Sequence, residues 1–515
     1  MCHFQSKGLT MKELIHNGVL IPMLYEPAGL QISYRGKKIK LDPQEEEMAY
    51  AWVKKLGTDY VNDNVFVRNF FKDFADALGI KEDVEPKDFD FSEIETRVEE
   101  EKERKSSFTK EEKKKLAQDR KFVREANKEK YGYAVIDGVK TEISNYLVEP
   151  SAIFMGRGKH PLRGRWKQGA KADDVVLNLS PKASRPPGNW KKIVWEPECM
   201  WVAKWKDKLT GKMKYVWLAD SSFIKQKKDI EKYDLAKELD KRIDKVRSHI
   251  ENNLNSENEK RRKLASVSYL IDRFQLRVGD EKDKDEANTV GATTLLPRHM
   301  AFGKDNHLTL RFIGKDYVKW HKEGQVLDSI VNNLKDLTSN AKSPIFRGVR
   351  SEDVNTFLSE AMPELTAKVF RTYHASKVVE EHLNRSKISV TVPDYKKKYV
   401  AKMANLHAAI TCNHKRKTPK NWSESYRKKK ERIEMLELGV KKKKTPKSKR
   451  RARESLKKAK LNLNLFKETR DYNLGTSLKS YIDPRVYYAW GKKVNFDWKS
   501  YYPKALRNKF SWVED

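Results

Sequence analysis

Between Lys415 and Arg470 the chain carries 23 Lys+Arg against 6 Asp+Glu, a net +17 within 56 residues. That is about half of the charge of the whole protein in a tenth of its length. The few apolar residues keep a helical order. Trp422, Tyr426, Ile433 and Leu436 fit one heptad stripe interrupted by Lys429, and Ala452, Leu456, Ala459, Leu463 and Phe466 form a second at 4-3-4-3 spacing. Gly439 and a polar run containing Thr445-Pro446 are expected to break the helix between them and turn it. The pattern predicts an antiparallel two-helix hairpin with a narrow seam and solvated basic faces. The matched stripes argue against the alternative, a disordered basic tail.

The full chain of 515 residues has 108 Lys+Arg and 73 Asp+Glu, a formal charge of +35. Its length suggests about three domains. Hydrophobic residues at 38%, with 12 Trp, argue against wholesale disorder. No apolar run approaches the ~18 residues of a membrane span and no signal peptide opens the chain, so no membrane partner is expected. Cys2, Cys199 and Cys412 are odd in number and lack paired spacing. They argue against a disulfide framework and a Cys-rich zinc site, and for an intracellular setting. The excess of positive charge points to a polyanionic partner, nucleic acid by default. A ribosomal or chromatin protein would share this composition, so charge alone does not select an enzyme.

Elsewhere, Ile21 to Leu41 alternates like short strands and Phe66 to Leu78 reads as an amphipathic helix. Glu93 to Lys115 mixes charges densely, as a solvated helix or connector would. Gly132 to Leu218 is strand-like and turn-rich, with a hairpin turn at Thr210-Gly211. Asp229 to His414 is mainly helical, interrupted by a hairpin at Leu308–Trp320. No repeat of solenoid length is present.

The sequence has no phosphate-binding GxxxxGK followed by Ser or Thr, no GxGxxG and no HExxH. Cys412-Asn413-His414 lacks partners at metal-binding spacing, so no metal and no cofactor are expected. Five other residues stand out, each with an ordinary alternative. Arg277 in FQLRVGDEK is read as closing a helix with stripe Leu264, Val267, Ile271 and Phe274, Gly279 suiting the position beyond it; it would then neutralise the helix C-terminus. Lys315 falls at the tip of LTLRFIGKDYVKW, as a solvated turn lysine or as a finger reaching into a DNA groove. Lys368 and Arg371 in LTAKVFRTYHAS lie one turn apart on a helix, where a solvated face is the default. His414 ends the stripe Tyr399, Met403, Leu406 and Ile410, the usual place of a core histidine. Tyr481 precedes Asp483-Pro484, an N-cap and first helical position, with Tyr487 and Tyr488 close by.

Together, in this order, the five residues and their surroundings resemble the eukaryotic-type DNA topoisomerase IB family. The matching segments are LRVGDEK followed by TVGATTL, FIGKD, LTAKVFRTYHAS, CNHKR and LGTSLKSYIDPR, with the basic hairpin between histidine and tyrosine where the family has its linker. YEPAGLQISYRGKKIKL, NFFKDF and FMGRGKHPLRGRW resemble the family's cap lobe and clamp. The likeness runs from about Gly18 to Trp512. It implies an α+β multidomain fold: a mixed α/β cap lobe over 1–220, a mainly α catalytic core over 221–416 of the tyrosine recombinase/topoisomerase IB type, a coiled-coil linker over 417–470, and a C-terminal domain over 471–515. Together they would form a monomeric clamp around double-stranded DNA, with no small-molecule substrate.

The resemblance also implies a chemistry. Tyr481 would attack a phosphodiester, leaving a 3′-phosphotyrosine and a free 5′-hydroxyl; the strain relaxes by rotation and the hydroxyl reseals the strand. One phosphodiester replaces another, so ATP is not needed. Arg277, Arg371 and His414 would stabilise charge on the nonbridging oxygens, and Lys315 would protonate the leaving 5′-oxygen. Arg157, Lys159, Lys282, Thr289, Asp316, Lys368 and Ser480 would contact DNA. This sequence departs from the family in two places: Ser480 replaces the usual Asn before the nucleophile, so camptothecin-type sensitivity does not carry over, and His374 replaces the Asn of the YNAS motif. The charged N-terminal extension of nuclear members is not in this sequence, which fits a compact, archaeal-type member, placed in the cytoplasm or nucleoid; a eukaryotic member would be nuclear. Tyrosine recombinases share the catalytic set but usually carry His-x-x-Arg where this chain has Lys368-Val369-Phe370-Arg371. They also lack a long basic coiled coil, whereas here 67 positions separate His414 from Tyr481. A non-catalytic nucleic-acid packaging protein is the other alternative.

Overall fold

The computed structural model describes residues 10–156, 158, 160–279, 289–339 and 344–514. The chain is mixed α/β, with several small sheets among many helices, and it divides into two compact units, Met1–Gln226 and Lys227–Asp515. No helix of the described residues is long and apolar enough to cross a membrane.

One core of the first unit forms around the helix Asn64–Ala77. Phe66, Phe70, Phe71 and Phe74 recur on its inner face and are fully or almost fully buried with Trp52, Phe89 and Phe91. Each such ring stabilises by about 1.5–3 kcal/mol relative to exposure, and Trp52 stacks on Phe70 at 4.7 Å. Asp63 starts the helix by accepting from the amides of Val65 and Phe66. Arg163 pairs with Asp63 at 2.9 Å and Arg165 with Asp73 at 2.7 Å, so two arginines of FMGRGKHPLRGRW anchor that loop to the helix. Arg157 and Lys159, its expected DNA contacts, lie outside the described residues.

Of the alternating stretch from Ile21 to Leu41, only Gln31–Tyr34 and Lys37–Lys40 pair as strands. The preceding residues do not, because the buried Glu46 carboxylate accepts from the amides of Ala28 at 2.7 Å and Leu30 at 2.9 Å, taking donors a ladder would need. The charged block becomes two helices, Ser92–Ser107 and Lys110–Tyr131, the second burying no residue. A second core underlies a four-stranded sheet ordered Lys192–Val194, Val176–Asn178, Trp201–Lys206, Met213–Trp217. The last two strands form the hairpin expected around Thr210-Gly211. Cys199 is disulfide-bonded, a bridge that the odd number and unpaired spacing of the cysteines do not suggest.

The helix Phe223–Asn253 carries the chain into the second unit. There the helices Glu259–Phe274, Asp328–Ser339 and Ser351–Ala361 pack with a sheet of Met300–Phe302, His307–Gly314 and Val318–Gln325. A neighbouring core joins the helices Ala367–Arg385, Asp394–Thr411 and Pro484–Val494. Trp422–Lys442 and Pro446–Glu468 form the expected helical hairpin. Trp422 stacks on Phe466 at 5.5 Å, Lys429 sits 5.1 Å over that same ring, and Lys460 reaches Glu437 at 2.7 Å. The lysine that interrupts the stripe therefore belongs to the seam, through a cation–π contact. Gly439 does not break the first helix, which continues to Lys442. The turn comes at Thr445, whose hydroxyl accepts from the Ser448 amide, with Pro446 in the first helical turn. At the base of the hairpin the Arg416 amide donates to Asp471 O at 2.9 Å.

Candidate active site

Arg277 lies beyond a helix rather than at its last turn. The helix Glu259–Phe274 ends at Gln275, which takes the left-handed conformation (φ 54°, ψ 38°) expected of a terminating residue, so Gly279 is not its cap. Arg277 and Val278 lie outside any helix or strand, their carbonyls accepting from Ala292 N at 2.8 Å and Thr293 N at 2.7 Å. Gly279 (φ 118°) instead crosses Gly291 so closely that a Cβ on it would lie 2.6 Å from Gly291 Cα. These two glycines, one in each half of LRVGDEK…TVGATT, let the two segments meet beside Arg277. Lys282 lies outside the described residues.

Lys315 occupies the hairpin tip as expected. Gly314 pairs with Val318, and Asp316 and Tyr317 both take positive φ (64° and 60°) to close the loop. The lysine is exposed. Val290 N donates to Ile313 O at 2.8 Å, tying the hairpin to the segment that holds Thr289.

On the helix Ala367–Arg385, Lys368 is exposed but Arg371 is only 2% exposed, so the solvated-face default fails for the arginine. Its guanidinium donates to Gln275 O at 2.7 Å and Cys412 O at 2.9 Å and approaches His414 Nε2 at 3.2 Å. Among the described residues its Nε has no hydrogen-bond partner. His414 follows the helix Asp394–Thr411, its amide bound to Ala409 O at 2.8 Å and its Nδ1 2.6 Å from Ser477 Oγ. It is buried, as a core histidine would be, yet its ring faces Tyr481, with centroids 5.0 Å apart. Burial, then the charges of Arg371 and Arg277, push its pKa down to about 3, so the imidazole is neutral.

Tyr481 ends the helix Leu474–Ser480 and precedes the helix Pro484–Val494, capped by Asp483 as expected. Its amide donates to Ser477 O at 3.0 Å and its carbonyl accepts from Ser376 Oγ at 3.3 Å, while Lys232 reaches Ser480 O at 3.4 Å. The Arg371 guanidinium stands 5.0 Å from its ring.

Arg277, Lys315, Arg371 and Tyr481 line one cavity of about 630 Å³ in the second unit, together with Thr289, Asp316, Lys368 and Ser480. His414 stands behind it, against Arg371 and Tyr481. Among the described residues no carboxylate pairs with Arg277, Lys315 or Arg371. The cavity also holds Asp316 and Glu364, yet with Lys232 and Lys368 beside these three its lining keeps an excess of positive charge, which suits an anionic ligand whose charge grows during attack. Ser477, Ser376 and Lys232 escape sequence reasoning as single residues. Their link to the site is across the fold, and only the i−4 spacing of Ser477 from Tyr481 is visible locally.

Residues 221–447 match a family model described as eukaryotic DNA topoisomerase I, catalytic core, and residues 10–218 match its DNA binding fragment. Residues 453–515 match a C-terminal topoisomerase domain. The chain is 35% identical over 535 residues to DNA topoisomerase 1 of Drosophila melanogaster, covering 99% of this chain and 54% of that protein. It is 33% identical over 553 residues to DNA topoisomerase 1 of Caenorhabditis elegans (99% and 67%) and 32% over 557 residues to that of Homo sapiens (99% and 71%). The chain thus spans between 54% and 71% of the length of these relatives.

Proposed function

The chain belongs to the eukaryotic DNA topoisomerase I family, and from that premise we propose that it relaxes supercoiled double-stranded DNA by transient cleavage of one strand, without ATP. The observation that carries this reading is the convergence of Arg277, Lys315, Arg371 and Tyr481 on one cavity, with neutral His414 in contact with two of them.

In this reading the Tyr481 phenol attacks the scissile phosphorus in line, its proton passing to solvent, from which Lys315 is later reprotonated. The bond to the 5′-oxygen breaks as the phosphotyrosine bond forms, and the two phosphodiesters are close in energy. Arg277 and Arg371 neutralise charge on the nonbridging oxygens, and a buried guanidinium that is already oriented by Gln275 O and Cys412 O needs little reorganisation to do so. An oriented donor of this kind is worth about 3–4 kcal/mol, or ~10²–10³ in rate. Lys315, on an exposed hairpin tip, gives its proton to the departing oxygen. Thr289, Asp316, Lys368 and Ser480 border the same cavity and are read as DNA contacts. The division into cap lobe, catalytic core of the recombinase type, linker and C-terminal domain is part of this proposal, as is action as a monomer.

Incubation with supercoiled plasmid without ATP tests it. A ladder of relaxed topoisomers that disappears in Tyr481→Phe is the expected result. A mobility shift without relaxation would overturn the reading in favour of packaging, and site-dependent strand exchange in favour of a recombinase.

A further inference from the structure

The hydrogen bonds around His414 assign its proton. A guanidinium has only donors, so Arg371 Nη2, 3.2 Å from His414 Nε2, requires that nitrogen to accept. Burial and two nearby guanidinium groups keep the ring neutral, so its single proton sits on Nδ1. The group facing Nδ1 at 2.6 Å is the hydroxyl of Ser477, a residue with no exposed surface. In the free protein this hydroxyl therefore accepts from Nδ1–H.

That arrangement is wrong for the role given to His414 above. To hold a nonbridging oxygen, the ring must present N–H at Nε2. Taking a second proton would place a third positive charge beside Arg371 and Arg277. Moving the single proton avoids this: Nδ1 releases a proton to solvent, Nε2 takes one up from it, and the ring stays neutral, while Arg371 Nη2 gives up its contact with Nε2 for the phosphate oxygen. Nδ1 then needs a donor. A hydroxyl can turn from acceptor to donor about its own bond, which a carbonyl or an ionised carboxylate cannot do.

Resting on the proposed strand cleavage, we propose that Ser477 is a positioning residue whose hydroxyl sets the tautomer of His414, accepting from Nδ1–H in the free protein and donating to Nδ1 once Nε2–H faces the phosphate. Ser477 also takes the amides of Tyr481 and Ile482 on its carbonyl, at 3.0 and 3.1 Å. One residue thus ties the histidine to the nucleophile's backbone, and side-chain substitutions leave that carbonyl in place.

The test is single-turnover cleavage of a duplex by wild type, Ser477→Ala, Ser477→Thr, His414→Gln and the Ser477→Ala/His414→Gln double variant. Ser477→Ala should slow cleavage by ~10–100-fold, the usual loss when the partner that orients an imidazole is removed. It should cost nothing further once His414 is Gln, because the serine acts through that ring. Ser477→Thr should recover to within about threefold of wild type; if the added methyl prevents folding, the double-variant comparison decides alone. Nitrogen-15 shifts of labelled histidine, assigned by loss of the signal in His414→Gln, should show Nδ1 protonated in the free protein. Equal losses in the presence and absence of His414, no loss in Ser477→Ala, or a proton on Nε2 in the free protein would each overturn the proposal. Absence of cleavage by the folded wild type would instead overturn the function itself.

Discussion

Gly279 and Gly291 cross so closely that a Cβ on Gly279 would lie 2.6 Å from Gly291 Cα, and one on Gly291 would come within 2.8 Å of Arg277 O. The crossing holds the segment of Arg277 against the cavity that both glycines also line. Gly279 also needs its positive φ of 118°, which side chains rarely adopt.

Gly291→Ala should therefore act on both stability and catalysis. Overpacking of this kind costs about 1–3 kcal/mol, and a displacement of Arg277 by ~1 Å can cost ~10² in rate. Thermal unfolding and single-turnover cleavage measure the two effects. A variant with wild-type cleavage would mean that the crossing does not position Arg277.

Lys315 and Arg371 can be separated by substrate chemistry. If Lys315 supplies the proton to the 5′-oxygen, Lys315→Ala should slow cleavage by ~10²–10⁴. A bridging sulfur leaves without a proton, so a strand carrying sulfur there should be cut nearly equally by wild type and Lys315→Ala. Arg371→Ala should lose ~10²–10³ on both strands, because the charge on the nonbridging oxygens is unchanged by the sulfur. If the sulfur strand leaves Lys315→Ala as impaired as before, the lysine is a groove contact or a solvated turn residue.

These residues differ in how plainly the sequence announces them. Lys315 is legible because strand alternation on both sides leaves only one place for the turn, and Tyr481 because Asp483-Pro484 marks the next helix start. Both signals are local. Arg277 is misplaced by the same local logic, because the helix is ended by Gln275, a residue with no special liking for the left-handed region, while the nearby glycine serves a backbone crossing with a partner twelve positions away. The burial of Arg371 depends on Gln275 and Cys412, and the orientation of His414 on Ser477, 63 positions later. No periodicity encodes such pairs. In the linker, the stripes show the hairpin and the polar run containing Thr445-Pro446 marks its turn; only Gly439 takes no part, since a glycine costs only about 1 kcal/mol in a helix.

Stability should fall on mild acidification through two buried histidines. His414 is pushed down to about 3 and His16, in the first unit, to about 4, burial being the main cause in each. Unfolded, both take up a proton near pH 6.5, so below that pH the unfolded chain binds more protons and gains. The loss begins near pH 6.5 and continues to about pH 4 for His16 and pH 3 for His414, by at most about 1.4 kcal/mol per pH unit for each. Urea midpoints between pH 7.5 and 5.5 should decrease with falling pH, less steeply in His414→Gln. An unchanged slope in that variant would mean that His414 is not held neutral.

The linker hairpin should hold DNA rather than cut it. Its basic faces are solvated, and among the described residues its seam is closed by its own side chains, Trp422 on Phe466 and Lys460 on Glu437. None of the cavity's residues belongs to it, and exposed charges act little beyond ~8–10 Å at physiological salt. The contact of Arg416 N with Asp471 O, which closes the base of the hairpin, lies outside Asn421–Phe466. Deleting Asn421 to Phe466 with a short splice should thus leave the covalent complex with DNA intact. Binding should change instead: the slope of log K against log salt is about −0.9 per phosphate neutralised, so the deletion should flatten it and weaken retention at high salt. Filter binding across a salt series, beside trapping of the covalent complex, measures both. A folded deletion variant that cannot form the complex would place the linker in the chemistry, and an unchanged salt slope would mean that its charge does not meet the phosphates.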